Sequence, residues 1–430
     1  MKALIIGGGG FVGRYLAEHL LQDCGWETIV TKLPKETVEV EGCEAYNLDI
    51  LDKDAVEALL VRHKPDAILH LAAQSSVAYS WKNPQLTADI NIHGCLNVLD
   101  AVRDIPDYSP KILLIGSGEE YGILPANTSL VSETTPVHPA NPYAITKMAQ
   151  NLFGALYAKA YEMHVMMVRA FNHVGPRQLP QFVVSDFCKQ VAEIMAGKRE
   201  PVMRVGNLTA ARDFTDVRDV VRAYSLLIEH GKSGEVYNVG SGRAIVIQEI
   251  LDRIIAHSGK EITVEVDPAK LRPVEVPVIR ADISKLQADT GWQPEIPLEQ
   301  TIAETLDDGF MLWFSETIPK GRQSIWHNYW NKDRARSRKT LRNSCRNRKQ
   351  DRKTWGIVHF LLMPTRKKNG KPRSRKSGRI RSMCSVCGRT RSTAGIPRGS
   401  GRWRSRIGHW KFGCSVWRKN WQNRKKNWNG

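Results

Sequence analysis

The sequence is short of three things, and each shortage excludes a class of protein. Cysteine is sparse: eight residues, Cys24, Cys43, Cys95, Cys188, Cys345, Cys384, Cys387 and Cys414, serve a chain of 430. Only Cys384 and Cys387 fall close together, so no disulfide framework of a small secreted scaffold is present, and a reducing cytoplasm is the expected location. Long apolar runs are missing too. The opening Met1-Lys2-Ala3-Leu4-Ile5-Ile6 breaks at Gly7, too soon for the apolar core of a signal peptide. No window approaches the ~20 apolar residues of a membrane span, and no membrane partner is expected. Acidic residues, finally, all but vanish from one region. Positions 320–430 hold 34 of the 63 Lys and Arg but only Asp333 and Asp351 of the 44 Asp and Glu, which leaves 29 basic and 42 acidic residues for 1–319. The formal charge of +19 therefore averages a mildly acidic body and a strongly basic tail.

The tail, taken as 316–430, carries eight of the twelve tryptophans, and its one sizeable aliphatic run is IVHFLLM. Such a stretch buries too little apolar surface to offset its ordering entropy, and disorder is expected. Many Arg, Trp and Ser with almost no Asp or Glu also fit an out-of-frame extension of the coding sequence. A reading of another class makes the chain a nucleic-acid-binding protein whose tail grips phosphates and stacks on bases; it is the less favoured one. Cys384-x-x-Cys387 with Cys345, Cys414 or His359 matches no compact zinc spacing, so no metal is expected.

The body is patterned. KALIIG, ETIVT, AYNLDI, DAILHLAA and KILLIGS are apolar runs separated by segments with apolar residues every three or four positions, and HVMMVRAF adds a sixth. Continuous apolar strands alternating with helices predict a parallel sheet covered on both faces. The expected fold class is α/β: a Rossmann-like doubly wound parallel sheet over 1–173, then a smaller C-terminal α/β substrate domain over 174–315. In the second part helices are predicted at 182–197, 216–230, 246–257 and 298–314, with short strands EVYNVG and ITVEV between them.

The first strand runs into Gly7-Gly8-Gly9-Gly10-Phe11-Val12-Gly13 and then a helix. Gly7 permits the tight turn, Gly10 lets a pyrophosphate approach the backbone, and Gly13 lets helix pack on strand. The helix N-terminus offers unspent N–H groups to the anion. Where an acid commonly binds the ribose 2′-hydroxyl at the end of the second strand, this chain has Thr31 and Lys32. The lysine suits a 2′-phosphate, which favours NADP(H) and leaves NAD(H) open. Asp49-Ile50 ends the third strand, where Asp49 is placed to hold the adenine amine.

Asn141-Pro142-Tyr143-Ala144-Ile145-Thr146-Lys147 opens another helix, Asn141 as its cap and Pro142 in its first turn. Tyr143 and Lys147 share one face, and a neighbouring ammonium lowers a phenol's pKa toward the working range. Ser117 ends KILLIGS at the carboxyl edge of the sheet, where this architecture binds ligands.

Together GGGGFVG, HLAAQSSV, IGSGEEYG, NPYAITK and RAFNHVGP resemble the extended short-chain dehydrogenase/reductase family over about residues 1–315. The wording of 174–224 is similar to its branch of GDP-4-keto-6-deoxy-mannose reductases and GDP-mannose 4,6-dehydratases. The resemblance implies Ser117, Tyr143 and Lys147 as catalytic residues. It implies a nicotinamide cofactor held by Gly7, Gly10, Phe11, Val12, Gly13, Lys32, Asp49, Ile50, Leu71, Ala72, Ala73, Tyr143 and Lys147. It implies a GDP-sugar against Gln74, Ser75, Glu119, Asn172, Arg212, Arg272 and Glu275, reduction at C4 to GDP-rhamnose, and a homodimer. Glu119, two residues after Ser117, has the spacing of the dehydratase base, so that activity stays open. Two positions depart from the family pattern: Gly118 stands where a second Ser or Thr is usual, and Arg177 where a glycine is common.

Overall fold

The computed structural model describes residues 1–314 apart from 39, 126, 127 and 272–275. Arg272, Glu275 and everything expected of 316–430 lie outside the described residues.

The apolar runs become strands where the sequence allows burial on both faces. In chain order the elements are β1 (Lys2–Ile6), α1 (Phe11–Gln22), β2 (Glu27–Lys32), β3 (Glu44–Asn47), α2 (Lys53–His63), β4 (Ala67–His70), α3 (Val77–Lys82) and α4 (Pro84–Ala88). A π-helical stretch, Asp89–His93, leads into α5 (Gly94–Asp104), β5 (Lys111–Ser117), a 3₁₀ turn Gly118–Tyr121, β6 (Leu130–Val131), α6 (Pro142–Ala160), β7 (Val165–Ala170) and β8 (Asn172–Val174). There follow α7 (Val183–Met195), β9 (Val202–Val205), β10 (Ala211–Asp216), α8 (Val217–His230), β11 (Val236–Val239), β12 (Ala244–Val246) and α9 (Ile247–Ser258). The described chain ends with β13 (Thr263–Val266), β14 (Val278–Ala281), α10 (Ser284–Thr290) and α11 (Leu298–Phe314).

Seven strands form a sheet in the order β3-β2-β1-β4-β5-β7-β11, with every pairing parallel. This is the doubly wound Rossmann-like arrangement. Alternation along β1 shows how both faces fill: Ala3 and Ile5 join the core under α1 and α8, Leu4 and Ile6 the core under α2 and α5. Chain order reverses between β1 and β4, and in open α/β sheets ligands bind at that switch point, outside the carboxyl ends of the strands.

A smaller sheet, β12-β10-β14-β6 with β8 beside β10, and the parallel pair β13-β9 account for the remaining strands of the described residues. Their core joins α7, α9 and α11 through Phe187, Val191, Ile250, Ile254, Ile302 and Leu306. One expectation is corrected here. EVYNVG reads as a strand of the second part, yet β11 pairs with β7 and completes the large sheet, while α8 covers the face beside α1. Tyr237, Asn238 and Val239 are all buried in succession, the signature of a strand covered on both sides. The chain thus returns to the first sheet after leaving it.

Arg177 gives its departure a physical cost. Its φ is +67°, in the left-handed region that glycine occupies without strain. Its guanidinium lies 3.7 Å from the buried Asp308 carboxylate of α11, an attraction glycine lacks.

Candidate active site

The site is built at the carboxyl ends of β1, β4 and β5. After β1 the chain turns at Gly7, whose φ is +89°. A Cβ there would lie 2.6 Å from the Ala72 backbone nitrogen, so the glycine turn and the loop after β4 touch directly. Leu71 and Ala72 N–H both donate to the Ile6 carbonyl, at 2.9 and 2.8 Å, which fixes that approach. Ala73, half-buried, continues the loop. A Cβ on Gly13 would stand 2.5 Å from Gly8 Cα, so helix and turn also pack backbone to backbone. At Gly10 the only neighbour is Gly7 O, at 3.7 Å, and Gly10 caps α1 with no side-chain bond to its first turn. The unspent N–H groups and the open ground above them fit a pyrophosphate.

Thr31 has a role that sequence reading missed. Its Oγ1 accepts from Gly7 N–H (3.1 Å) and its carbonyl from Gly8 N–H (2.7 Å), so it braces the turn. A threonine near the end of an apolar strand carries no sequence signal for that. Phe11 stacks on His173 (6.2 Å between centroids) and Tyr15 Oη donates to Pro176 O (3.0 Å), tying α1 to the loop after β8. Val12 is half-buried against the core. Lys32 Nζ donates to Asn47 Oδ1 at 2.9 Å, along the β2–β3 edge. Asp49 is exposed, its Oδ1 accepting from Leu51 N–H at 3.0 Å, and Ile50 is buried against Gly94.

In the loop after β4, the Gln74 carboxamide is spent on the loop itself: Nε2 donates to Ser76 O (3.1 Å) and Thr87 Oγ1 (3.0 Å), and Oε1 accepts from Ser76 N–H (2.6 Å). Ser75 is exposed beside it. Gln74 N–H donates to Asn91 Oδ1 (2.8 Å), and Asn91 Nδ2 donates to Thr146 Oγ1 (2.9 Å), whose hydroxyl donates to Tyr143 O (2.7 Å). Asn91 sits in the π-helical stretch, whose register an apolar period of three and four does not reveal.

Asn141 caps α6, its Oδ1 accepting from Ala144 N–H at 2.8 Å, with Pro142 in the first turn. This sets Tyr143 where its phenol comes under the influence of the Ser117 side chain. Both residues are buried. Burial pushes the Tyr143 phenol well above its ordinary range; the Ser117 side chain opposes this, and the charges of Glu119 and Glu120 add to it. Lys147 is buried with its ammonium donating to Ile115 O (2.7 Å) and Gln150 Oε1 (3.0 Å). Burial brings it down to about 8, against the opposing pull of Cys95 and Glu120. The two hydrogen bonds of this ammonium go to β5 and to its own helix, not to the phenol. The ammonium is turned to the sheet instead. His70, at the end of β4, is fully buried and pushed down to about 3 by burial and then by Lys147, hence neutral.

Glu119 accepts from Asn141 Nδ2 at 3.0 Å and lies close enough to act on Tyr143. A Cβ on Gly118 would come within 3.2 Å of the Phe171 ring, so a side chain there would press on that ring. Asn172 is exposed on β8, in register with Phe214 of β10. Arg212, on β10, donates to Ala211 O (3.0 Å) and Pro277 O (3.5 Å). The structure therefore brings Ser117, Glu119, Tyr143 and Lys147 together and sets the glycine turn beside the β4 loop. Asn172 and Arg212 stand on the second sheet.

Comparison with known proteins agrees with this construction. The family model for GDP-mannose 4,6 dehydratase matches residues 4–305. The chain is 32% identical over 307 residues to a GDP-6-deoxy-D-mannose reductase of Pseudomonas aeruginosa, covering 71% of this chain and 96% of that protein. It is 32% identical over 336 residues to GDP-mannose 4,6 dehydratase 1 of Arabidopsis thaliana, covering 74% and 91%. Among solved structures, RMD from Pseudomonas aeruginosa complexed with NADPH superposes with a TM-score of 0.65 at 31% identity, over 73% of this chain and 100% of that one. Thermus thermophilus UDP-glucose 4-epimerase in complex with NAD gives 0.65 at 30%, over 72% and 99%. A nicotinamide cofactor is thus supported from both the fold and the open glycine turn. The chain belongs to the GDP-mannose 4,6 dehydratase family, within the NAD(P)-dependent short-chain dehydrogenase/reductase enzymes of nucleotide-sugar metabolism.

Proposed function

We propose that the chain reduces the C4 carbonyl of GDP-4-keto-6-deoxy-D-mannose to give GDP-D-rhamnose, with NADPH as the reductant. The observation that carries the chemistry is the buried Ser117–Tyr143 hydroxyl pair at the end of β5, across the switch point from the glycine turn. The choice of sugar rests on the reductase relative, and that of NADPH on Lys32 in place of an acid. The hydride is what a bound nicotinamide supplies. The chain's own part is the proton and the oxygen. Because burial keeps the Tyr143 phenol protonated at neutral pH, it is ready to donate that proton to the developing alkoxide. Ser117 Oγ then holds the same oxygen from the other side. Gly7, Gly10, Phe11, Val12, Gly13 and Lys32 hold the dinucleotide, with Asp49, Ile50 and the loop Leu71-Ala72-Ala73 at its borders. Lys147 serves the nicotinamide ribose. Ser75, Asn172 and Arg212 face the GDP-sugar; Gln74 acts by shaping the loop. The division at 173/174 is kept as a functional one, cofactor before and sugar after.

Glu119 favours a second reading, dehydration of GDP-mannose, since a carboxylate beside Tyr143 suits removal of a C5 proton. One assay separates the two. With GDP-4-keto-6-deoxy-D-mannose, the reductase oxidises one NADPH per GDP-rhamnose formed. Conversion of GDP-mannose to the keto-sugar without net NADPH loss would overturn that reading.

The chain is also proposed to form a homodimer through α6. Ile145, Leu152 and Leu156 are 50%, 61% and 55% exposed at spacings of seven and four, a helical stripe of apolar surface. Replacing Leu152 and Leu156 together by Glu should convert the species seen by light scattering to a monomer; an unchanged mass would sink the proposal.

A further inference from the structure

Beneath Ser117 lies a carboxylate with no part in the chemistry above. Glu120 is completely buried, on the 3₁₀ turn that follows β5. Its Oε1 accepts from Ser117 N–H (2.8 Å) and Asn151 Nδ2 (2.9 Å); its Oε2 accepts from Asn151 Nδ2 (3.0 Å) and Arg169 Nε (3.1 Å). Burial raises the Glu120 carboxyl above its usual range, opposed by Arg169, the Ser117 N–H and Asn151; every partner is a donor, the set that suits the ionised form and gives a carboxylic acid's proton nowhere to go. The sequence makes room for it. A Cβ on Gly116 would lie 2.4 Å from Glu120 Oε1, from Asn151 Nδ2 and from Val168 O alike, so the cluster requires glycine one residue before Ser117.

The contacts run outward from there. Asn151 is on α6, one turn beyond Lys147 and two beyond Tyr143. Arg169, on β7, donates to Tyr121 Oη (3.1 Å) and lies 4.8 Å over that ring. Tyr121 Oη donates to Asn238 Oδ1 (2.7 Å) on β11, and Asn238 Nδ2 donates to Val131 O (2.9 Å) on β6 of the second sheet.

We propose that Glu120 is the positioning residue of this site: its ionised carboxylate clamps the end of β5 to α6 and β7, fixing the Ser117 hydroxyl against Tyr143. The proposal rests on the reading of Ser117 and Tyr143 as the reacting pair. The same charge also sits in the field of both titrating groups. Tyr143 feels Glu119 and Glu120 from the 3₁₀ turn and the Ser117 hydroxyl from β5, with Tyr224 of α8 close by. Lys147 feels Glu120 and Cys95 of α5, and acts in turn on His70 of β4.

Four proteins test this: the parent, Glu120→Gln, Arg169→Met and the double variant. Each single change leaves a buried charge unpaired and should lower the unfolding temperature. The double variant should recover it, because neutral partners of similar size replace a buried ion pair without a stranded charge. A purely structural role predicts that activity recovers with it. Positioning predicts instead that kcat of the double variant stays at least tenfold down, with the sugar KM within twofold and the pH–rate limb displaced to lower pH. A second arm needs neither substrate nor cofactor. Lys147 titrates lower when folded than unfolded, so its burial costs stability at low pH, and the cost fades as pH rises from its folded value toward its unfolded one. The stability difference between Lys147→Met and its background, followed from pH 6 to 10, reads that titration. It should begin to fade at least half a unit lower in the Glu120→Gln/Arg169→Met background. Full recovery of kcat in the double variant, or an unmoved Lys147 titration, would overturn the proposal. A parent without turnover on the keto-sugar would fail the reading of the reaction, while the stability arm still decides on Glu120.

Discussion

Replacing Tyr143 by Phe should lower kcat by about 10²- to 10⁴-fold, the usual worth of a positioned general acid, while leaving cofactor binding and stability close to those of the parent. The ring is retained and only the hydroxyl is lost, a hydroxyl that lies beside the Ser117 side chain at the site. Ser117→Ala should cost less, about 10²-fold, because it removes one donor to the developing oxyanion and not the proton itself. The two losses should not add: a pair that acts on one oxygen fails as a unit, so the double variant should fall little below Tyr143→Phe. Stopped-flow measurement of NADPH oxidation on the keto-sugar, with the cofactor Kd measured separately by fluorescence, checks both points. A Tyr143→Phe enzyme within fivefold of the parent would remove the phenol from the chemistry. The pH dependence has a definite sign. Reduction consumes the protonated phenol, so activity should hold through neutral pH and fall on the alkaline side, where the acid form is lost.

What the sequence disclosed, and what it withheld, follows from the range of the forces involved. The strands of the large sheet are legible because burial on both faces demands continuous apolar runs, and the glycine turn because its backbone excludes side chains. Asn141 and Pro142 announce α6 through local capping chemistry that any helix start would need. Local signals of this kind do not say which partner a strand will choose. VYNV therefore reads correctly as a strand and wrongly as part of the second sheet, since its place beside β7 is decided by packing with the neighbouring α8 and with α10, nearly fifty residues on. Polar positions were the least legible. Thr31 and Asn91 act through hydrogen bonds to the glycine turn and to Gln74 and Thr146, with no periodicity to betray them. Glu120, one residue from the Glu119 that the motif singled out, looks like any charged turn residue until Gly116, Asn151 and Arg169 close around it. Lys147 illustrates the converse. The four-residue spacing from Tyr143 is right and the shared helix is right, yet the ammonium is drawn to Ile115 O and Gln150 instead of the phenol.

Gly7→Ala should damage the cofactor half of the molecule severely for a single added methyl, acting on fold and binding together. Two separate costs meet at this atom. The residue's φ of +89° lies in the region that L side chains rarely adopt, a strain of about 1–2 kcal/mol. The new Cβ would also stand 2.6 Å from Ala72 N and 2.7 Å from Ala72 Cα, backbone atoms that cannot rotate aside, and overpacking of that kind costs about 1–3 kcal/mol. The sum, about 2–5 kcal/mol, is a large share of the about 5–15 kcal/mol that a domain has in reserve. Relief is available only by separating the turn from the β4 loop, which breaks the Leu71 and Ala72 bonds to Ile6 O and displaces the Gly7 and Gly8 N–H groups from Thr31. The pyrophosphate ground over Gly10 would move with them, so NADPH affinity should drop by at least tenfold in any molecules that still fold. Gly10→Ala is the matched comparison. Its Cβ meets nothing nearer than 3.7 Å and its φ of −78° is ordinary, so the ligand-free protein should unfold where the parent does, while cofactor binding falls because the methyl intrudes on the pyrophosphate. Denaturant unfolding and NADPH fluorescence titration on the two variants separate a turn that is strained in itself from one that is open for a ligand. Equal stability of Gly7→Ala and the parent would contradict the contact with Ala72, and undiminished NADPH binding by Gly10→Ala would remove the phosphate from this turn.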